Sequence, residues 1–390
     1  MVAKTLTAFV VLLALSSRCA ADSLDMALAA MLQRGWPGVG VLVESANGKA
    51  RIATAGLAVI ESNTPMSSAT GFHMCSITKS FTAMAILRLV DQGKLSLDSK
   101  VVDILDQPAV ERIPNIADIT VAQLLDHSSG IYPTNNDPTY VNTLVGSGAF
   151  LRRVWTPVEL VELATRPENK PVAKPGEGHH YSDTNYILLG LIAERVSHQP
   201  LKTYIERTIL DPLQMRATYY YSDVLLGKRS TPAGVANGYI KLTKDLTDAV
   251  VFNPGFKAPR PGWLNTSIAA ERIDAAAGLV TTLSDLHKFA NSLFRGRLLS
   301  PKSQKFLFAV EGEMTGADIG KHRTRTLQGA ATPFGVVLFK EGDGPGGFNT
   351  LMAYHPSSDT IFIGFTNEFG NFDEVDTMLM DVMSTAISPQ

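Results

Sequence analysis

The sequence predicts an α/β fold of the α+β kind: one antiparallel sheet built from both chain ends, flanked by helices, with a mainly helical insertion between them. Three observations predict it. Apolar, β-branched segments cluster near the two termini, at Val39–Glu44 and Arg51–Ile60, and again at Leu351–Tyr354 and Thr360–Phe365. The middle carries helical periodicity. Two early antiparallel strands followed by helices do not fit a βαβ series with a parallel sheet.

Taken in order, Leu24–Arg34 reads as a short amphipathic helix stopped by Pro37-Gly38. Asn47-Gly48 is a strong hairpin signal between the first two strands. Phe81–Gln92 is apolar on nearly every face, the mark of a buried helix. Thr120–Leu125 reads as a further helix, closed by His127-Ser128-Ser129-Gly130, with His127 as a turn residue. Tyr186–Val196 is apolar and helical, and Ser284–Leu293 is helical with Ser284 as its N-cap. Residues 136–166 and 224–265 have weaker periodicity and several prolines, and are expected to hold helices and loops. Pro356-Ser357-Ser358-Asp359 turns the last two strands, and Phe372–Ile387 reads as a closing helix.

The chain has 390 residues, 45% hydrophobic and 18% charged, with a formal net charge of −2. That balance supports a large core and gives no field favouring nucleic acid or an anionic membrane. Lys4, the apolar run Leu6–Leu15 and the small residues Cys19, Ala20 and Ala21 read as a signal peptide over residues 1–21. The run is too short for a stable membrane anchor. The mature part, 22–390, reads as one catalytic domain with a helical subregion over 95–270, exported to the periplasm or secreted. It keeps only Cys75, so no internal disulfide can form.

The sharpest chemical signal is Ser76-Ile77-Thr78-Lys79 at the start of the buried helix. Residues three apart share a helix face, so the Ser76 hydroxyl and the Lys79 amine can meet. A serine hydroxyl needs a base to become a good nucleophile, and a lysine serves as one when burial lowers its pKa. The apolar neighbours Met74, Cys75, Ile77 and Phe81 suggest such burial. Backbone N–H groups at the helix start favour a developing oxyanion. Tyr181-Ser182-Asp183 follows the Pro175-Gly176 loop, and a tyrosine near two cations can act as a general base.

The ordered set Ser76-x-x-Lys79, His127-Ser128-Ser129-Gly130 and Tyr181-Ser182-Asp183-x-x-Tyr186-x-Leu188-Leu189-Gly190 resembles the serine β-lactamase and penicillin-binding protein clan. Within it, the likeness is to the class C β-lactamase, D-alanyl-D-alanine carboxypeptidase and family VIII esterase branch. It extends through Ala277-Gly278-Leu279, Thr281-Thr282 and Ser284-Asp285-Leu286 to Gly347-Phe348-Asn349-Thr350 and Asn367. The resemblance implies a β-lactamase-like fold, with Ser76 as the acylated nucleophile, Lys79 as its activating partner and Tyr181 as general base. It sets Asp183 where the family usually has asparagine, among substrate-binding groups.

Relatives carry Lys-Thr-Gly or His-x-Gly shortly before a Gly-aromatic pair. Counting back from Gly347-Phe348 sets that triplet at Glu341-Gly342-Asp343, or at Asp343-Gly344 on a shifted alignment, and neither supplies the cation. On the first count Gly344 offers the second oxyanion N–H, and residues 334–341 look like a shortened hairpin. Glu341 and Asp343 then disfavour a carboxylate-bearing substrate. The expected function is an amide or ester hydrolase working through a Ser76 acyl-enzyme, on a small molecule or peptide. A carboxylesterase of the same fold, or a weakly acylating binding or sensing protein, is the alternative.

No cofactor and no metal are expected. His179-His180 has no third ligand at a suitable spacing. The glycines of 342–347 lack the lysine and threonine of a phosphate loop. Cys75 reads as a small packing residue.

Overall fold

Asn47-Gly48 turns the chain where a hairpin is expected: Gly48 has φ +73, and its amide donates to the Ser45 carbonyl at 2.9 Å. The computed structural model describes residues 24–145, 153–230, 234–242, 258–270, 273–296, 298–313, 321–324, 326–332, 335–369 and 383. The strands flanking this turn are β1 (Gly38–Glu44) and β2 (Ala50–Val59), with β2 bordered by the short β3 (Thr64–Pro65). The other strands of this sheet come from the far end of the chain: β4 (Val310–Glu313), β5 (Lys321–Thr324), β6 (Gln328–Thr332), β7 (Gly335–Gly344), β8 (Phe348–His355) and β9 (Thr360–Thr366).

Among the described residues these nine strands run in the order β3-β2-β1-β9-β8-β7-β6-β5-β4, every neighbouring pair antiparallel. β1 and β9 join the two ends of the chain, with Val39 opposite Thr366 and Glu44 opposite Ile361. The fold is therefore the β-lactamase-like α/β arrangement that the motifs imply.

Side chains alternate across a strand, so each face of the sheet has its own core. Val39, Val41 and Val43 pack with Leu24, Leu28 and Met31 on one face, together with Val337, Phe339 and Leu351. Leu42, Met352, Ile363 and Phe365 join the larger core on the other, where the helices lie. α1 (Thr78–Asp91) runs through that core and is buried from Thr78 to Leu87 and again at Leu89. Phe81 stacks on Phe289 of α4 (Leu283–Arg295) at 3.6 Å between ring centroids. Between them in sequence come α2 (Val121–Leu125) and α3 (Asp183–Ser197).

Several expectations are corrected. The N-cap of α4 is Thr282, whose side chain accepts from the Asp285 amide, and not Ser284. Over residues 335–341 the chain is no shortened hairpin but part of β7, a ten-residue strand paired with β6 and β8; Phe334 lies outside the described residues. β4, β5 and β6 had no period-2 apolar pattern to announce them, reading VEGE, KHRT and QGAAT. The helical stretch 95–270 also contains short strands at Tyr219–Tyr220, Tyr239–Lys241 and Trp263–Asn265. The expected signal peptide, and the closing helix apart from Met383, lie outside the described residues.

A polar knot ties α4 to the sheet. Glu44, 5% exposed, accepts from Arg295 Nη1 at 2.7 Å and Asn291 Nδ2 at 2.6 Å, and pairs with His287. Arg295 Nε also reaches Asp359, in the turn between β8 and β9, at 3.0 Å. Among the described residues no helix is long and apolar enough to cross a membrane.

Candidate active site

The chain reaches Ser76 through a clamped approach. Phe72 and His73 pair with Thr281 and Val280, and the Met74 amide donates to the Leu279 carbonyl at 3.1 Å. Leu279 in turn donates its amide to Thr78 Oγ1 at 3.2 Å. The strand Leu279–Thr281, which the Ala277-Gly278-Leu279 motif leads into, thus holds both sides of the nucleophile turn. Cys75 then takes φ +46, a left-handed conformation uncommon for a residue with a Cβ. Ser76 follows in a short 3-10 turn (Cys75–Ile77) that leads straight into α1.

Helical spacing brings Lys79 back to Ser76. Lys79 Nζ donates to Ser76 Oγ at 3.0 Å and to the Ala276 carbonyl at 3.2 Å. Its Nζ is also 2.6 Å from Asp183 Oδ1, with the two side chains 1% and 4% exposed. Burial pushes the Lys79 pKa down, but the adjacent Asp183 charge, with Tyr181, more than reverses this and holds it well above the usual lysine range. The expectation that burial would lower it is corrected: the Asp183 carboxylate at 2.6 Å favours the ammonium form. Asp183 is also not an open substrate-facing group, since its carboxylate is buried against Lys79.

Tyr181 completes the cluster, its hydroxyl 2.7 Å from Ser76 Oγ. The ring is 40% exposed and forms part of the surface around Ser76. Desolvation raises the phenol above its ordinary pKa; the Lys79 charge offsets part of this and the Asp183 charge adds to it. The His127–Gly130 turn positions the loop. His127 has φ +58, and its carbonyl accepts from the His180 amide at 2.8 Å. The Ser182 amide donates to His127 Nδ1 at 3.2 Å, and the imidazole lies against the Tyr181 ring at 4.5 Å between centroids. An amide can only donate, so Nδ1 is unprotonated. Ser129 Oγ donates to Asn185 Oδ1 at 2.6 Å, fixing the start of α3 to the same turn.

β7 lies along the other side of Ser76. A Cβ on Gly342 would come to 2.3 Å from the Met74 carbonyl oxygen and 3.1 Å from the Ser76 nitrogen, so only glycine permits this approach. Lys340, two residues earlier, shares that face. It is 7% exposed, with its Nζ 5.5 Å from the centroid of the Tyr181 ring. This corrects the count that found no cation: the strand presents Lys340-Glu341-Gly342, one residue earlier than expected. Glu341 and Asp343 alternate onto the opposite face, with Val337 and Phe339. Desolvation, and then the like charge of Lys79, push the Lys340 pKa down to about 8. Among the described residues Lys340 forms no ion pair. Gly344 ends the strand at the turn into β8.

Ser76, Lys79, Tyr181 and Lys340 therefore converge, with Asp183 behind Lys79 and Gly342 against the Ser76 backbone. Among the described residues no three histidine, cysteine, aspartate or glutamate side chains group to hold a metal ion.

Comparison with known proteins bears on the family and the fold. The family model described as Beta-lactamase matches residues 20–385. A putative D-alanyl-D-alanine carboxypeptidase of Salmonella agona is 28% identical over 57% of the chain and 49% of its own length. The chain spans between about a third and a half of the curated relatives it matches, 36% and 49% in two of them. Among solved structures, D-amino acid amidase from Ochrobactrum anthropi superposes with a TM-score of 0.78 at 21% identity, over 95% of this chain and 99% of that one. A D-stereospecific amidohydrolase from Streptomyces has a TM-score of 0.74 at 26% identity, over 92% and 97%.

Proposed function

The chain belongs to the β-lactamase family, and on that premise we propose that it is a serine hydrolase cleaving an amide or ester bond through an acyl-enzyme on Ser76. The observation that carries this reading is the Ser76 hydroxyl held by two polar groups at once, 2.7 Å from Tyr181 OH and 3.0 Å from Lys79 Nζ.

In this reading Tyr181 acts as its phenolate: Ser76 Oγ attacks the substrate carbonyl while its proton passes to the phenolate oxygen. Tyr181 gives that proton to the departing amine or alcohol, then takes one from the water that attacks the acyl-enzyme and returns it to Ser76 Oγ as the acid leaves. Lys79, as a cation, holds Ser76 Oγ in place and stabilises the negative charge that develops nearby.

The oxyanion receives the Ser76 amide and one from β7. Gly347, with φ +89, donates its amide to the Gly344 carbonyl, the pattern of a glycine bulge. That closure makes Gly344 and Phe348 a hydrogen-bonded pair, and alternation along the ladder then turns the Asp343 amide outward, away from β8. β6 pairs only as far as Phe339, so this edge is unpaired among the described residues. The second donor is therefore Asp343 N–H, one residue before the Gly344 of the sequence count.

Lys340 gives the site a cation and removes the argument against carboxylate-bearing substrates. A peptide or amide with a carboxylate near the scissile bond fits it. The names of the carboxypeptidase and amidohydrolase relatives support an amide substrate. Export, which rests on Leu6–Leu15 and Ala21, is part of this proposal, and the mature N-terminus is then Asp22. The test is the time course of p-nitrophenyl ester hydrolysis by the wild type and by Ser76→Ala. Steady turnover, or a burst, that disappears in the variant supports the reading; equal turnover in both refutes it.

A further inference from the structure

Asp183 sits in the first turn of α3, where its carboxylate and the Lys79 ammonium are buried together at 2.6 Å. Neutralising Lys79 would leave the Asp183 carboxylate buried without its partner charge, which favours the ammonium form of Lys79. Lys79 cannot take a proton from Ser76 while it is already an ammonium, and giving up that proton would strand Asp183. The other group in contact with Ser76 Oγ is Tyr181, which accepts the proton as its phenolate.

We propose that Asp183 is a positioning residue that locks Lys79 as a cation and so sets the pH at which Ser76 is activated through Tyr181. This rests on Ser76 being the nucleophile. The titratable and charged groups around the phenol are Lys79 from α1, Asp183 and Tyr186 from α3, His127 from the turn after α2, and Lys340 from β7. Asp126 acts on Tyr186, and Glu341 and Asp343, on the other face of β7, act on Lys340. The two lysines favour the phenolate and Asp183 opposes it. Asp183 is the carboxylate paired directly with Lys79, so it cancels the cation nearest the reacting oxygens. An asparagine would keep the shape and the acceptor oxygen but remove the charge. Both Lys79 and Tyr181 would then release protons more easily, and the acid limb of the rate profile would move to lower pH.

The experiment is kcat/KM for a p-nitrophenyl ester from about pH 5 to about pH 10, for the wild type, Asp183→Asn, Asp183→Ser as a second uncharged variant, and Ser76→Ala. The acid limb in the uncharged variants is expected to fall by about one pH unit, a roughly tenfold gain on that limb. A role for Asp183 in folding alone would lower the rate without moving the limb. Turnover that depends on Ser76, with a limb unmoved or raised in the uncharged variants, overturns the proposal. Turnover that survives in Ser76→Ala overturns instead the reading on which it rests.

Discussion

Gly342 is seated against the backbone of Ser76, so closely that a methyl group on its α-carbon would stand 3.1 Å from the Ser76 nitrogen. The same methyl would meet the Met74 carbonyl oxygen at 2.3 Å, well inside contact distance. Gly342→Ala must therefore move β7 away from the nucleophile turn and displace the Asp343 amide proposed as an oxyanion donor. The expected result is a fall in kcat of about 100-fold or more, the scale of losing one oxyanion donor. Steady-state kinetics check it, with a thermal melt to confirm folding. A variant with wild-type kcat would show that β7 does not border the reacting centre.

Lys340 gives a pH-dependent prediction with a definite sign. Its pKa is pushed down to about 8, so it is a cation below that pH and neutral above it. A substrate carboxylate held by Lys340 should bind best in the lower range. For one peptide with a free and an amidated C-terminus, the free acid should have the lower KM at neutral pH. That advantage should fade as the pH rises through about 8, and Lys340→Met should abolish it throughout. Equal KM values for the two peptides at neutral pH would remove Lys340 from substrate recognition.

Glu44 carries a stability prediction away from the site. Glu44→Ala leaves Arg295, Asn291 and His287 without their shared acceptor beneath α4. Removing one partner of a largely buried ion pair costs about 3 kcal/mol. Urea denaturation should show that loss, and Arg295→Ala added to Glu44→Ala should cost less than the sum of the single changes. Additive losses would mean the two side chains are not energetically coupled.

Much of this arrangement is legible in the chain itself. Ser76 and Lys79 are three residues apart on a continuous apolar helix, and helical geometry alone brings them together. The Asn47-Gly48 and Pro356–Asp359 turns mark the hairpins whose outer strands meet as β1 and β9. Lys340 was missed for a physical reason. The Gly347 bulge adds a residue between Gly344 and Phe348, so counting back from Gly347-Phe348 slips by one, and a slip of one exchanges the faces of a strand. Asp183 lies 104 positions from Lys79 in sequence, and no local pattern reveals an ion pair formed only by packing α3 on α1. The polar strands β4–β6 lack the alternation by which strands are recognised.

Acylation of Ser76 is read without intermediaries by mass spectrometry of enzyme quenched during p-nitrophenyl acetate turnover. An acetyl group is expected on the peptide carrying Ser76 in the wild type, and it should be lost in Ser76→Ala together with turnover. Turnover with the label on another residue, or undiminished turnover in Ser76→Ala, would contradict that expectation.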